Sequence, residues 1–128
     1  MLDYLRQWTK ATPGNELAWY GLGLAYGELG RYPEAIAAYR MALRLKPDDT
    51  KVWKYLGVAY GKMGRHRNKI EAYREALRIK PDFADAWYNL GATYANSGNR
   101  TAALEAVKEL RRYDPQGAEK LFNLIMKP

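Results

Sequence analysis

The sequence predicts an all-α solenoid, a stack of antiparallel helix pairs, and three observations predict it. Trp19, Trp53 and Trp87 stand 34 residues apart. The same step links Leu22, Leu56 and Leu90; Gly23, Gly57 and Gly91; Tyr26, Tyr60 and Tyr94; Gly30, Gly64 and Gly98; and Pro13, Pro47, Pro81 and Pro115. Within one period the apolar residues fall in two stripes of helical spacing, separated by a glycine. A fixed period of this size marks an architecture in which each repeat is one supersecondary unit that buries its apolar face only by stacking on its neighbours. The repeats run 16–49, 50–83 and 84–117, within a chain that reads as one domain over 1–128.

Taken in order, residues 2–11 form a helix ahead of Pro13. They align with the second helix of an earlier repeat whose first helix is absent. Leu5 and Trp8 keep the repeat register, which favours a segment cut from a longer array over a dedicated N-terminal cap. In the first full repeat, Trp19, Leu22, Gly23 and Tyr26 lie at i, i+3, i+4 and i+7, one stripe of a helix. Gly30 supplies the permissive backbone that ends this helix. Pro33 suits the first turn of the next, where its missing N–H costs nothing. Ala35, Ile36, Tyr39, Ala42 and Leu43 carry the second stripe, and Pro47 closes the unit. Gly23 sits inside a helix at a cost of about 1 kcal/mol relative to Ala. A close approach of the second helix there, against small Ala35, would account for it.

This set of columns, Trp19…Leu22-Gly23…Tyr26…Gly30…Tyr32…Ala35…Tyr39…Ala42…Pro47, resembles the tetratricopeptide repeat (TPR) pattern column by column. The resemblance extends over about residues 16–117 and implies a right-handed superhelix. The departures are specific. Lys69 stands where Ala35 and Ala103 stand, at a tight helix contact, and its ammonium is expected to snorkel outward. Lys69→Ala is accordingly expected to raise stability. His66 and Arg100 replace Tyr32, while Val107 and Leu110 replace Tyr39 and Ala42, so the last repeat is the least regular. Residues 118–126 place Leu121, Leu124 and Ile125 on one face, a capping helix over that repeat.

Composition excludes most chemistry. The chain has no Cys, one His (His66) and one Ser (Ser97), so neither a disulfide framework nor a zinc site can be built. Ser97 lies in Asn96-Ser97-Gly98-Asn99, a turn between helices. His66 is flanked by Arg65 and Arg67 and takes the place of a packing Tyr. No nucleophile with a base, and no acid–base pair, emerges. Gly21, Gly23 and Gly27 follow no strand, so they do not form a phosphate loop. The reading is a non-enzymatic chain with no cofactor. No apolar run approaches the roughly eighteen residues of a membrane span. The first residues show no signal peptide, which points to the cytoplasm.

In solenoids of the family resembled here, the first helices line a concave groove that binds protein. The matching stripe holds Leu17, Tyr20, Gly21, Leu24, Gly27 and Glu28; then Lys51, Lys54, Tyr55, Val58, Gly61 and Lys62; then Asp85, Tyr88, Asn89, Ala92, Ala95 and Asn96. The candidate peptide-binding residues are Leu17, Tyr20, Leu24, Lys51, Lys54, Tyr55, Val58, Lys62, Tyr88, Asn89 and Asn96. The net charge of +7 supports an acidic occupant, because it is concentrated in residues 50–83, where nine Lys and Arg face three Asp and Glu. Some TPR domains grip a terminal carboxylate with Lys, Asn and Arg at fixed slots. Here those slots hold Tyr20, Leu24, Tyr55, Asp85 and Asn89, so that grip is absent. A peptide or helix laid in the groove fits the small and apolar residues better.

Two other readings stand beside it. Arg40, Arg74 and Lys108, and Arg44, Arg78 and Arg112, recur at the same step and could suggest nucleic acid. Glu71/Arg74, Glu75/Arg78, Glu105/Lys108 and Glu109/Arg112 pair at i,i+3, however, and paired charges do not make a phosphate track. The terminal helices offer a route to homo-oligomers: Phe122 and Met126 at one end, Leu2, Leu5 and Trp8 at the other.

Overall fold

The computed structural model describes residues 1–127, and these form eight helices and no strand. In chain order they are α1 (Leu2–Ala11), α2 (Glu16–Glu28), α3 (Tyr32–Leu45), α4 (Thr50–Lys62), α5 (His66–Ile79), α6 (Ala84–Asn96), α7 (Arg100–Arg111) and α8 (Pro115–Met126). None of them is long and apolar enough to cross a membrane. The chain divides into two compact units inside α5, Met1–Ala72 and the part from Tyr73 onward.

Each start and stop has a local cause. The side chains of Asn15 and Asp49 accept from the backbone N–H of Leu17 (3.0 Å) and Lys51 (3.1 Å), capping α2 and α4. Asn99 accepts from Ala102 N–H at 3.1 Å to cap α7. The first helix of every repeat ends in the same way. Arg31 N–H reaches back to Tyr26 C=O (2.9 Å), Arg65 to Tyr60 (2.9 Å) and Asn99 to Tyr94 (2.8 Å). This six-to-one bond needs a left-handed residue just before its donor. Gly30, Gly64 and Gly98 supply it, with φ of 74°, 73° and 82°.

In the first unit, α2 packs on α1 and α3, and α3 packs on α4. Leu22, Ile36, Leu43 and Leu56 are buried between them, each contributing about 1.5–3 kcal/mol on leaving water. Leu5 is buried in the same cluster, and Leu2 and Trp8 pack against it. The N-terminal residues expected to offer a surface for stacking are thus largely spent on their own core. Gly23 does face the second helix, but not Ala35: a Cβ there would lie 2.5 and 2.6 Å from two ring carbons of Tyr39. The aromatic ring, rather than a small residue, occupies the space the glycine leaves.

In the second unit, α6 packs on α7, and α8 covers both. Val107, in the column of Tyr39, is too short to fill the space at Gly91. Leu121 of α8 fills it, with its Cδ2 2.5 Å from where a Gly91 Cβ would be. This helix starts three residues earlier than the sequence suggests. Pro115 occupies its first turn and the Asp114 side chain accepts from Gly117 N–H at 3.0 Å. Its buried face is Ala118 and Leu121, with Ile125 packed alongside, whereas Leu124 is exposed.

The Trp and Pro columns prove to be one feature. The indole N–H of Trp19, Trp53 and Trp87 donates to the carbonyl of Pro13 (2.8 Å), Pro47 (2.8 Å) and Pro81 (2.7 Å), tying each turn to the helix it precedes. The arginine column also has a partner that local spacing does not reveal. Arg6 Nε donates to the Tyr26 hydroxyl at 3.0 Å and Arg40 to that of Tyr60 at 3.5 Å, and Arg74 makes the corresponding bond to Tyr94. The expected pairs Arg78–Glu75 (2.7 Å) and Arg112–Glu109 (3.4 Å) do form.

Candidate functional site

The stripe flanking the Trp-Leu-Gly-Tyr face of α2 and α4 converges on three tyrosines in the first unit. Tyr20 and Tyr55 come from α2 and α4, and their ring centroids lie 6.0 Å apart. Tyr39 of α3 lies behind both, 6.4 Å from Tyr20 and 6.3 Å from Tyr55, stacked on the latter with 27° between planes. Tilted and offset rings at such distances attract beyond their buried area. Tyr39 is 3% exposed and forms a fixed floor, while Tyr20 and Tyr55 remain half-buried. Burial pushes the Tyr39 hydroxyl well above the usual phenol range, and neighbouring Tyr20 and Tyr55 add to the shift. Tyr20 is shifted the same way, chiefly by burial and then by Tyr55. Both therefore stay protonated at neutral pH and can act as hydrogen-bond donors.

Around this floor, Leu24 is half-buried against the core, whereas Leu17 and Val58 are exposed. Lys54 places its ammonium 4.9 Å from the centroid of Tyr55, a cation–π contact. Lys51 and Lys62 are exposed. Tyr88, Asn89 and Asn96 belong to the second unit. There Tyr88 packs against the Ala106, Val107 and Leu121 cluster, and the Asn89 carbonyl accepts from the Thr93 hydroxyl at 2.7 Å. Asn96 is exposed. The same unit holds an open cleft of about 440 Å³ lined by Arg74, Leu77, Trp87, Tyr94 and Glu105.

Two residues join the site that the stripe alone does not include. Tyr39 reads as core, yet the absent Cβ atoms of Gly23 and Gly27 mark the path of its ring and hydroxyl. Lys69, expected to swing outward, instead lies across Gly61. Its Cδ, Cε and Nζ are 2.9, 3.1 and 3.1 Å from where a Gly61 Cβ would stand. A glycine with no side chain gives the lysine a path along α4, so it is half-buried rather than extended into water. Burial, and then the charge of Lys62, hold its ammonium below the ordinary lysine range.

Helix pairs repeated at 34 residues, each closed by the same glycine turn, define an α-helical repeat scaffold of the kind that binds other proteins. Tetratricopeptide repeat patterns match residues 17–49, 56–83, 70–98 and 85–117. The chain belongs to the tetratricopeptide repeat family. No curated protein matches it. Among solved structures it is similar to MamA, with a TM-score of 0.84 and 22% identity over 98% of this chain and 84% of that one. A tetratricopeptide repeat protein from Parabacteroides merdae superposes with a TM-score of 0.89 at 18% identity, over 97% of this chain and 50% of the other. YrrB, described as a TPR protein with an unusual peptide-binding site, matches with a TM-score of 0.84 and 25% identity, over 95% of this chain and 64% of that one.

Proposed function

We propose that this scaffold binds a peptide or short helix of another protein on the α2–α4 face, with Tyr20 and Tyr55 as anchors. The observation that carries the reading is the three-tyrosine cluster. Two half-exposed rings are held by a third that cannot move, beside the exposed apolar Leu17 and Val58 and the cations Lys51, Lys54 and Lys62. Preformed aromatic anchors lose little conformational entropy on binding and dominate interface energetics. The hydroxyl tips and lysines around them suit a partner with an acidic edge. The peptide-binding site named for YrrB is support by analogy, since fold alone does not assign function.

The test is a binding screen with Tyr55→Ala combined with Lys54→Glu. Each partner of the wild-type chain is expected to bind this variant at least tenfold more weakly, with the helical content unchanged. Equal affinity removes the face from consideration. A second reading is supported by the exposed Phe122 and Met126, one turn apart on α8, which would let copies associate. A monomer in light scattering at high concentration dismisses it.

A further inference from the structure

Lys69 breaks a rule that its own repeat family keeps elsewhere in this chain. The matching residues, Ala35 and Ala103, are fully buried at their helix contacts. A lysine there is partly desolvated and close enough to Lys62 for the two charges to repel. Neither ammonium has an ion-pair or hydrogen-bond partner among the described residues. Their own stretch of chain is uniformly cationic: from Thr50 to Ile70 it holds six Lys and Arg and no Asp or Glu. A charged side chain therefore fills the space over Gly61, at a column where the first and third repeats carry Ala. Such local violations gather at functional sites.

We propose that Lys69 and Lys62 together form the acid-recognising subsite of the α2–α4 face, taking the carboxylate of an Asp or Glu side chain in the bound peptide. The inference rests on the peptide-binding reading above and deepens it. Lys69 enters from α5, a second helix, and reaches the face only because Gly61 has no side chain. Lys62 follows Gly61 directly and stands seven residues beyond Tyr55. At 1.5 Å rise per residue, the pair lies about 10 Å along α4 from the aromatic anchor. An extended peptide advances about 3.3 Å per residue, so its acidic residue falls about three positions from the one resting on Tyr55. A carboxylate placed there compensates two like charges at once, and charge-assisted bonds of this kind are the strong ones.

Citrate serves as the carboxylate probe. Titrated into the ¹⁵N-labelled chain, it is expected to give saturable shifts at Gly61 and its neighbours. These should weaken at least tenfold in Lys69→Met and in Lys62→Met, which keep the aliphatic stems. Absence of saturation, or an unchanged response in Lys69→Met, overturns the subsite. Thermal melts of both variants at or above the wild-type value establish that folding is not the cause. Peptide display on the immobilised chain is the second arm. Selected peptides should carry Asp or Glu at a fixed offset from an aromatic or apolar residue, and selection on Lys69→Met should lose the acid but keep the anchor. Peptides without a fixed acid also overturn the proposal. Tyr55→Ala separates the two readings: retention of the selected peptides in that variant refutes the tyrosine face, while the citrate result judges the lysines independently.

Discussion

Gly23 and Gly27 lie one turn apart on α2, and replacing each by Ala should change stability in opposite directions. The propensity gain is the same for both, about 1 kcal/mol in favour of Ala. At Gly27 the new Cβ would stand 3.6 Å from the Tyr39 hydroxyl, an ordinary contact. The full gain should therefore appear, raising Tm by about 4 °C for a chain of this size. At Gly23 the Cβ would meet two carbons of the Tyr39 ring at 2.5 and 2.6 Å. That ring is buried and packed against both Tyr20 and Tyr55, so it cannot turn aside as a flexible side chain would. Overpacking costs about 1–3 kcal/mol, and two contacts this short place the cost at the upper end. After the propensity gain is subtracted, Gly23→Ala should lose about 2 kcal/mol. Urea melts of both variants, compared at equal m, read the difference directly. A Gly23→Ala chain as stable as wild type would refute the claim that Tyr39 is a rigid floor, and with it the preorganised site.

Gly61→Ala combined with Lys69→Ala imports the pair found in the third repeat, Ala95 and Ala103. It should raise the urea midpoint by more than Gly61→Ala alone, which leaves the lysine stem displaced; a lower midpoint for the double variant would show that Lys69 stabilises its contact. Stability should also fall in alkali. Burial pushes the Tyr73 hydroxyl up to about 12, so the folded chain holds that proton after the unfolded chain has released it near pH 10. The contribution is complete below about pH 10 and is lost as pH rises toward 12. Thermal melts across that window check it, and Tyr73→Phe should flatten the decline.

The period, the glycine turns and the two apolar stripes were legible because each depends on local chemistry repeated in register. The partners of the recurring columns were not. Periodicity shows that Trp19, Trp53 and Trp87 are equivalent, but not that each indole donates to a proline carbonyl six residues back. The arginines show the limit more sharply. Within the helix, Arg74 is three residues from Glu71, and the i,i+3 rule supplies an apparent partner. The Tyr94 hydroxyl that it engages is twenty residues away. On the candidate face, the shared stripe shows that Tyr20, Tyr55 and Lys54 lie close together. It does not include Tyr39 and Lys69, because both arrive from second helices through gaps that only a missing Cβ opens. The start of α8 was misplaced for a related reason: α7 stops at Arg111 instead of running on as α3 does, which frees Asp114 and Pro115 to begin the next helix early.

The bonds from Arg6 to Tyr26, Arg40 to Tyr60 and Arg74 to Tyr94 all leave the second helix of one repeat and land on the first helix of the next. Repeats 16–49 and 50–83 thus each bring one arginine donor and one tyrosine acceptor, and neither is satisfied inside the repeat that carries it. The segment 50–83 can be duplicated or deleted with every remaining arginine of this column meeting a tyrosine. An insertion of 33 or 35 leaves a mismatched joint. Changes in the length of such an array are therefore filtered by whole units, and recombination between repeats becomes a safer source of variation than slippage within one.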